Sequence, residues 1–167
     1  MPLDGAKYDY ERASVTPGTG LDFVISDGAL DRHGTKINPK GWDLTNFKKN
    51  PIALFGHDSR FIIGTWSNVR NEGSKLVATL NLAAKGTSAR IDEIISLIEQ
   101  GILRAASVGF NVIKYGTAGK DEFDFVEQEM IETSIVGIGS NPNALAKARA
   151  LKVSTETLSL VFGEPAN

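Results

Sequence analysis

The stretch Gly64-Thr65-Trp66-Ser67-Asn68-Val69-Arg70-Asn71-Glu72-Gly73-Ser74-Lys75-Leu76-Val77-Ala78-Thr79-Leu80-Asn81-Leu82 decides the fold class. Its second arm alternates: Leu76, Ala78, Leu80 and Leu82 point one way, Val77, Thr79 and Asn81 the other. Ile62 and Ile63 lead into the first arm, and Glu72-Gly73 supplies a turn between the two. Two extended arms joined by a turn make an antiparallel hairpin. Working outward, Leu21, Phe23 and Ile25 alternate with Asp22, Val24 and Ser26 up to the Asp27-Gly28 break, the pattern of a half-buried strand. After Pro51 the apolar run Ile52-Ala53-Leu54-Phe55-Gly56 ends at His57-Asp58, so a buried strand delivers that histidine to its end. Residues 105–113 and 129–136 are strand-like as well, and Ser107, Gly109 and Asn111 share a face of the first. Gly109 leaves room there for a close backbone approach.

One helix stands out among these strands. Ile91, Ile94, Ile95 and Ile98 fall at the spacing of a single helix face, with Thr87 or Ser88 as N-cap and Gly101 as the stop. The Ala-rich residues 143–152 are expected to form another. Many strands around one or two helices predict an α+β or mainly antiparallel β domain. The chain has 167 residues, the length of one domain. Residues 1–20 have no hydrophobic period and read as a flexible N-terminal arm, 21–152 as the single domain and 153–167 as a C-terminal tail.

Composition removes several functions. Hydrophobic residues make up 41% and charged residues 23%, as in soluble globular domains. A net charge of −2 lacks the basic excess of a nucleic-acid binder. No stretch has the length of a membrane span, and Met1-Pro2-Leu3-Asp4-Gly5 lacks the order of a signal peptide, so no membrane partner and a cytoplasmic location are expected. There is no cysteine, which excludes disulfides and thiolate nucleophiles. The two histidines, His33 and His57, form neither HxxxH nor HxH, and no Gly-rich phosphate loop is present; no metal and no cofactor is expected.

Catalysis by a hydroxyl is the remaining chemistry, and it needs a serine against a histidine that a third polar group orients. His57 fits a general base, a metal ligand or a structural residue. Ser107, between small Ala105-Ala106 and Gly109, fits a nucleophile or an ordinary hydroxyl facing water.

A set of ordered motifs adds to this reading. Phe23-Val24-Ile25-Ser26-Asp27-Gly28, Asp31-Arg32-His33-Gly34, the stretch from Gly41 to Pro51, Leu54-Phe55-Gly56-His57-Asp58, Ala106-Ser107-Val108-Gly109-Phe110 and the run from Glu129 to Val136 resemble, in that order, the prohead proteases of tailed bacteriophages. The resemblance runs from about residue 21 to 146. That family is similar in fold to the herpesvirus assemblins, which implies a mainly antiparallel β-barrel flanked by helices.

The resemblance implies Ser107 as nucleophile, His57 as general base and Glu132 as the third member, with Glu129 its closest rival. Oxyanion donors are expected either in the stretch from Gly137 to Asn141 or around Gly109, and Arg104 offers a nearby cation. Asp58, next in sequence to His57, points to the other face of an extended segment and is not expected to serve the same imidazole. His33 receives no catalytic role, and Trp42 and Trp66 are expected to anchor the core. The implied function is a serine endopeptidase that processes scaffold and major capsid protein during prohead maturation and cleaves itself, acting in the host cytoplasm inside the assembling prohead. Resemblance to assemblins implies a homodimer. The competing reading is a noncatalytic capsid-assembly or scaffold protein on the same fold.

Overall fold

The structure is a computed structural model that describes residues 7–11, 13–16, 20–138 and 146–147. Among the described residues ten strands and one α-helix follow in order: β1 (Lys7–Glu11), β2 (Ala13–Thr16), β3 (Gly20–Asp27), β4 (Trp42–Asp43), β5 (Ile52–Phe55), β6 (Asp58–Glu72), β7 (Lys75–Leu82), α1 (Ala89–Glu99), β8 (Ala105–Tyr115), β9 (Phe125–Val136) and β10 (Ala146–Lys147). A single-turn 3-10 helix at Phe47–Lys49 precedes β5 and buries Phe47.

The expected hairpin is β6–β7, paired from Gly64↔Leu82 to Glu72↔Lys75 around a turn at Gly73-Ser74. β3 extends it antiparallel through Phe23↔Ala78. On the other side β6 pairs with β5, and β5 runs parallel to β9 through Ala53↔Thr133 and Leu54↔Ser134. β9 in turn pairs antiparallel with β8 along its whole length. The sheet order is β1-β8-β9-β5-β6-β7-β3-β2-β10, with β4 parallel to β9 off this path.

The α+β class holds, and the barrel does not. Closure requires the two end strands to hydrogen-bond to each other. Among the described residues β1 pairs with β8 and β10 with β2, so the path of paired strands stays open. Among the described residues α1 is the one α-helix, where the resemblance implied a barrel flanked by helices. Ala146 and Lys147, expected to be helical, form β10; the rest of that stretch lies outside the described residues. Lys7–Glu11 and Ala13–Thr16, within the expected arm, pair with β8 and β3.

The core lies between the inward side chains of the strands and α1. Phe23, Ile25, Ile63, Trp66, Leu80, Val108 and Ile135 are fully buried. Each such large apolar side chain contributes about 1.5–3 kcal/mol by leaving water. Trp66 packs edge-on against Phe23 and donates its indole N–H to the Thr133 carbonyl at 3.0 Å, which ties β6 to β9. Trp42 packs edge-on against Phe110. Both tryptophans anchor the core as expected. In α1 the Ser88 hydroxyl accepts the Ile91 N–H at 3.1 Å, and Ile94, Ile95 and Ile98 are buried. Gly101 follows with φ 73°, the left-handed stop that glycine adopts without strain. No helix among the described residues is long and apolar enough to cross a membrane.

Candidate active site

Two adjacent strands and one turn build the site. Across the β8–β9 ladder Ser107 stands opposite Ser134, and Gly109 opposite Glu132. Residues two apart in a strand share a face, so Ser107, Ser134 and Glu132 project together from one patch. Histidine reaches this patch from the β5–β6 turn. Phe55 pairs with Asp58, leaving Gly56 and His57 as a two-residue connection. Both have positive φ, 63° and 59°, the backbone that a tight hairpin with the native twist demands. Glycine adopts it without strain; a histidine there costs about 1–2 kcal/mol. The turn is fastened to β9 by the Gly56 N–H, which donates to the Ile135 carbonyl at 2.9 Å.

The Ser107 Oγ and the His57 Nε2 are 2.7 Å apart. The other ring nitrogen, Nδ1, bonds Glu132 Oε1. Ser107 has 0% exposure, so it is not a hydroxyl facing water. The His57 and Glu132 side chains keep 19% and 15% of their surface. A buried hydroxyl, a half-buried imidazole and a carboxylate in one hydrogen-bonded chain can move a proton from oxygen to nitrogen while the carboxylate holds the ring.

The remaining expected residues fall elsewhere. Glu129 Oε2 accepts from the Asn46 amide at 2.9 Å and lies outside this chain of contacts. Asp58 binds Arg60 through both the backbone N–H and the guanidinium, so it serves a different partner from the imidazole. That pairing holds the Asp58 carboxyl at about 2, below its ordinary 3.8: the Arg60 side chain contributes most, then the Arg60 N–H. His33 is exposed on a turn whose Asp31 carboxylate accepts the N–H groups of His33 and Thr35. Arg104 leads into β8, and burial lowers its guanidinium pKa. Of the two expected oxyanion sources, Gly109 lies between paired strands, with Tyr8 and Glu132 as its Cα partners. Gly137 and Ile138 are exposed just beyond β9, and residues 139–141 lie outside the described residues.

Ser134 is the residue that sequence reasoning missed. Its hydroxyl donates to Glu132 Oε2 at 2.8 Å and accepts the His57 backbone N–H at 3.1 Å. The signal was present: two residues beyond Glu132 in a strand is the same face.

Comparison with known proteins points to one family. The family model of the caudovirus prohead serine protease matches residues 11–158. The prohead protease of Escherichia phage T5 is 32% identical over 119 residues, which cover 68% of this chain and 55% of the phage protein. The chain thus spans little more than half the length of that curated relative. No solved structure matches the chain. With most of its length matched by the family model, and with serine, histidine and glutamate joined through one turn and two strands, the chain belongs to the caudovirus prohead serine protease family.

Proposed function

We propose that this chain is a serine endopeptidase of phage head maturation in which Ser107 is the nucleophile, His57 the general base and Glu132 the carboxylate that orients the imidazole. The observation that carries this reading is the continuous contact from Ser107 Oγ through both ring nitrogens of His57 to Glu132. A serine hydroxyl is a weak nucleophile until a neutral imidazole accepts its proton. His57 Nε2 takes that proton as Ser107 Oγ bonds to the carbonyl carbon of the scissile peptide. The imidazolium then gives the proton to the leaving amine, and water releases the acyl group from Ser107 by the same steps in reverse. Glu132 keeps the second ring proton on Nδ1, so that Nε2 is free to accept, and stabilises the charged ring.

The substrates on this reading are scaffold protein and the major capsid protein, with cleavage of the chain itself, inside the assembling prohead in the host cytoplasm. Kinship with the herpesvirus assemblins and dimerisation belong to the same reading. Crowding of protease and substrate within one shell then couples activity to assembly.

The test incubates the wild type and Ser107→Ala with the capsid and scaffold proteins, free and as assembled proheads, with cleavage followed by mass spectrometry. The expected result is cleavage by the wild type and a loss of about four orders of magnitude or more in the variant. Intact substrates with both proteins in both forms overturn the reading in favour of a noncatalytic assembly protein.

A further inference from the structure

Ser134 occupies an unusual position between the two ends of the histidine. It is fully buried on β9, opposite Ser107. A hydroxyl has one proton to give and lone pairs to accept with. Its proton goes to Glu132 Oε2, while His57 Nδ1 bonds Glu132 Oε1. Its lone pair receives the backbone N–H of His57, the residue held at φ 59°. One side chain therefore grips both the carboxylate and the main chain of the residue which that carboxylate orients.

Each half of this grip answers a specific freedom. A carboxylate bound through one oxygen can rotate about its last torsion, and a donor on the second oxygen stops it. A left-handed histidine relaxes toward ordinary backbone unless its surroundings hold it there. We infer that Ser134 is a positioning residue that locks the Glu132 carboxylate and the His57 turn into one unit, so that Nε2 is presented to Ser107. The inference rests on the catalytic reading above for its effect on rate, and on geometry alone for its effect on the His57–Glu132 contact.

Ser134→Ala and Ser134→Thr of the full chain test it, read in two ways. The first is the far-downfield proton resonance of an imidazole N–H held by a carboxylate, which needs no substrate. The chain has two histidines, so His33→Gln assigns it. The second is cleavage kinetics on capsid and scaffold proteins. Thermal unfolding establishes that each variant is folded. The expected result is that alanine removes or broadens the His57 resonance and lowers kcat between about 10- and 100-fold with KM within about twofold, and that threonine restores both. An alanine variant with an unmoved resonance overturns the inference, as does a loss that threonine fails to restore. If the wild type cleaves nothing while its resonance still depends on the hydroxyl at 134, the positioning role stands and the catalytic reading falls.

Discussion

Gly109 faces Glu132 across the β8–β9 ladder, and the carboxylate fills the space that a side chain at 109 would take: a Cβ built there lies 2.7 Å from Glu132 Oε1 and 3.2 Å from its Cγ and Cδ. The absent side chain two residues beyond Ser107 thus lets Glu132 lie flat beside the strand that carries the serine and reach His57 Nδ1.

Gly109→Ala therefore acts on the site through its carboxylate. The backbone at 109 is ordinary for a strand, so the added methyl introduces a steric effect and little else. Glu132 has to swing away, and its contact with His57 is the first to go. Displacement of a catalytic group by about 1 Å costs on the order of 100-fold in rate, and overpacking costs about 1–3 kcal/mol in stability. Peptide cleavage and thermal unfolding of the variant measure both, and unchanged cleavage refutes the steric account.

Much of this arrangement is legible in the sequence, for physical reasons that differ by element. The β6–β7 hairpin and β3 announce themselves by apolar residues at a period of two, although one-sided burial is confined to β6: in β7 and β3 the alternate positions Val77, Thr79, Val24 and Ser26 are buried as well. The helix α1 carries its own cap and stop. That Ser107 and Gly109 share a face follows from the strand alone. What the period does not encode is register between distant strands. Nothing local to Ile52–Phe55 says that it runs parallel to β9, yet this pairing brings His57 beside Ser134. The left-handed backbone of His57 was hidden for a related reason, since a glycine followed by a histidine reads as the end of a strand until the Phe55↔Asp58 pairing makes it a two-residue turn. The segments β1 and β2 lack an apolar period, and their place in the sheet comes from backbone pairing with β8 and β3.

Asp58 separates stability from chemistry along the pH axis. Its carboxyl is held down to about 2 by Arg60, so the folded form releases this proton more readily than the unfolded chain. A depressed folded value means that the contribution is complete above the ordinary 3.8 and is lost as pH falls through about 2. Asp58→Asn is expected to narrow the stability difference from wild type across that window and to erase it at its acid end. The hydrogen bonds between Asp58 and Arg60 are exposed, so the difference is small throughout. Cleavage near neutral pH keeps its pH profile, because Asp58 pairs with Arg60 and His57 with Glu132. Melting temperatures from pH 2 to 6, with a cleavage profile around neutrality, check both halves; a displaced neutral profile contradicts the assignment of Asp58 to Arg60.

The two glutamates of β9 give the sharpest discrimination within the site. Glu132 contacts His57 and Ser134, whereas Glu129 accepts from Asn46 at the surface. Glu132→Gln keeps the size of the side chain but removes the charge that stabilises the imidazolium, and its amide can turn a donor toward Nδ1 and favour the wrong tautomer. The expected loss is between about 100- and 10,000-fold in kcat, with substrate binding little changed. Glu129→Gln perturbs one exposed hydrogen bond and is expected to leave kcat within about a factor of two. The comparison is informative because both variants make the same chemical change on the same strand, so a general effect of neutralising β9 lowers both rates alike. Only a carboxylate acting through His57 makes the Glu132 variant fall alone, and a larger loss in the Glu129 variant would assign the orienting role to that residue instead.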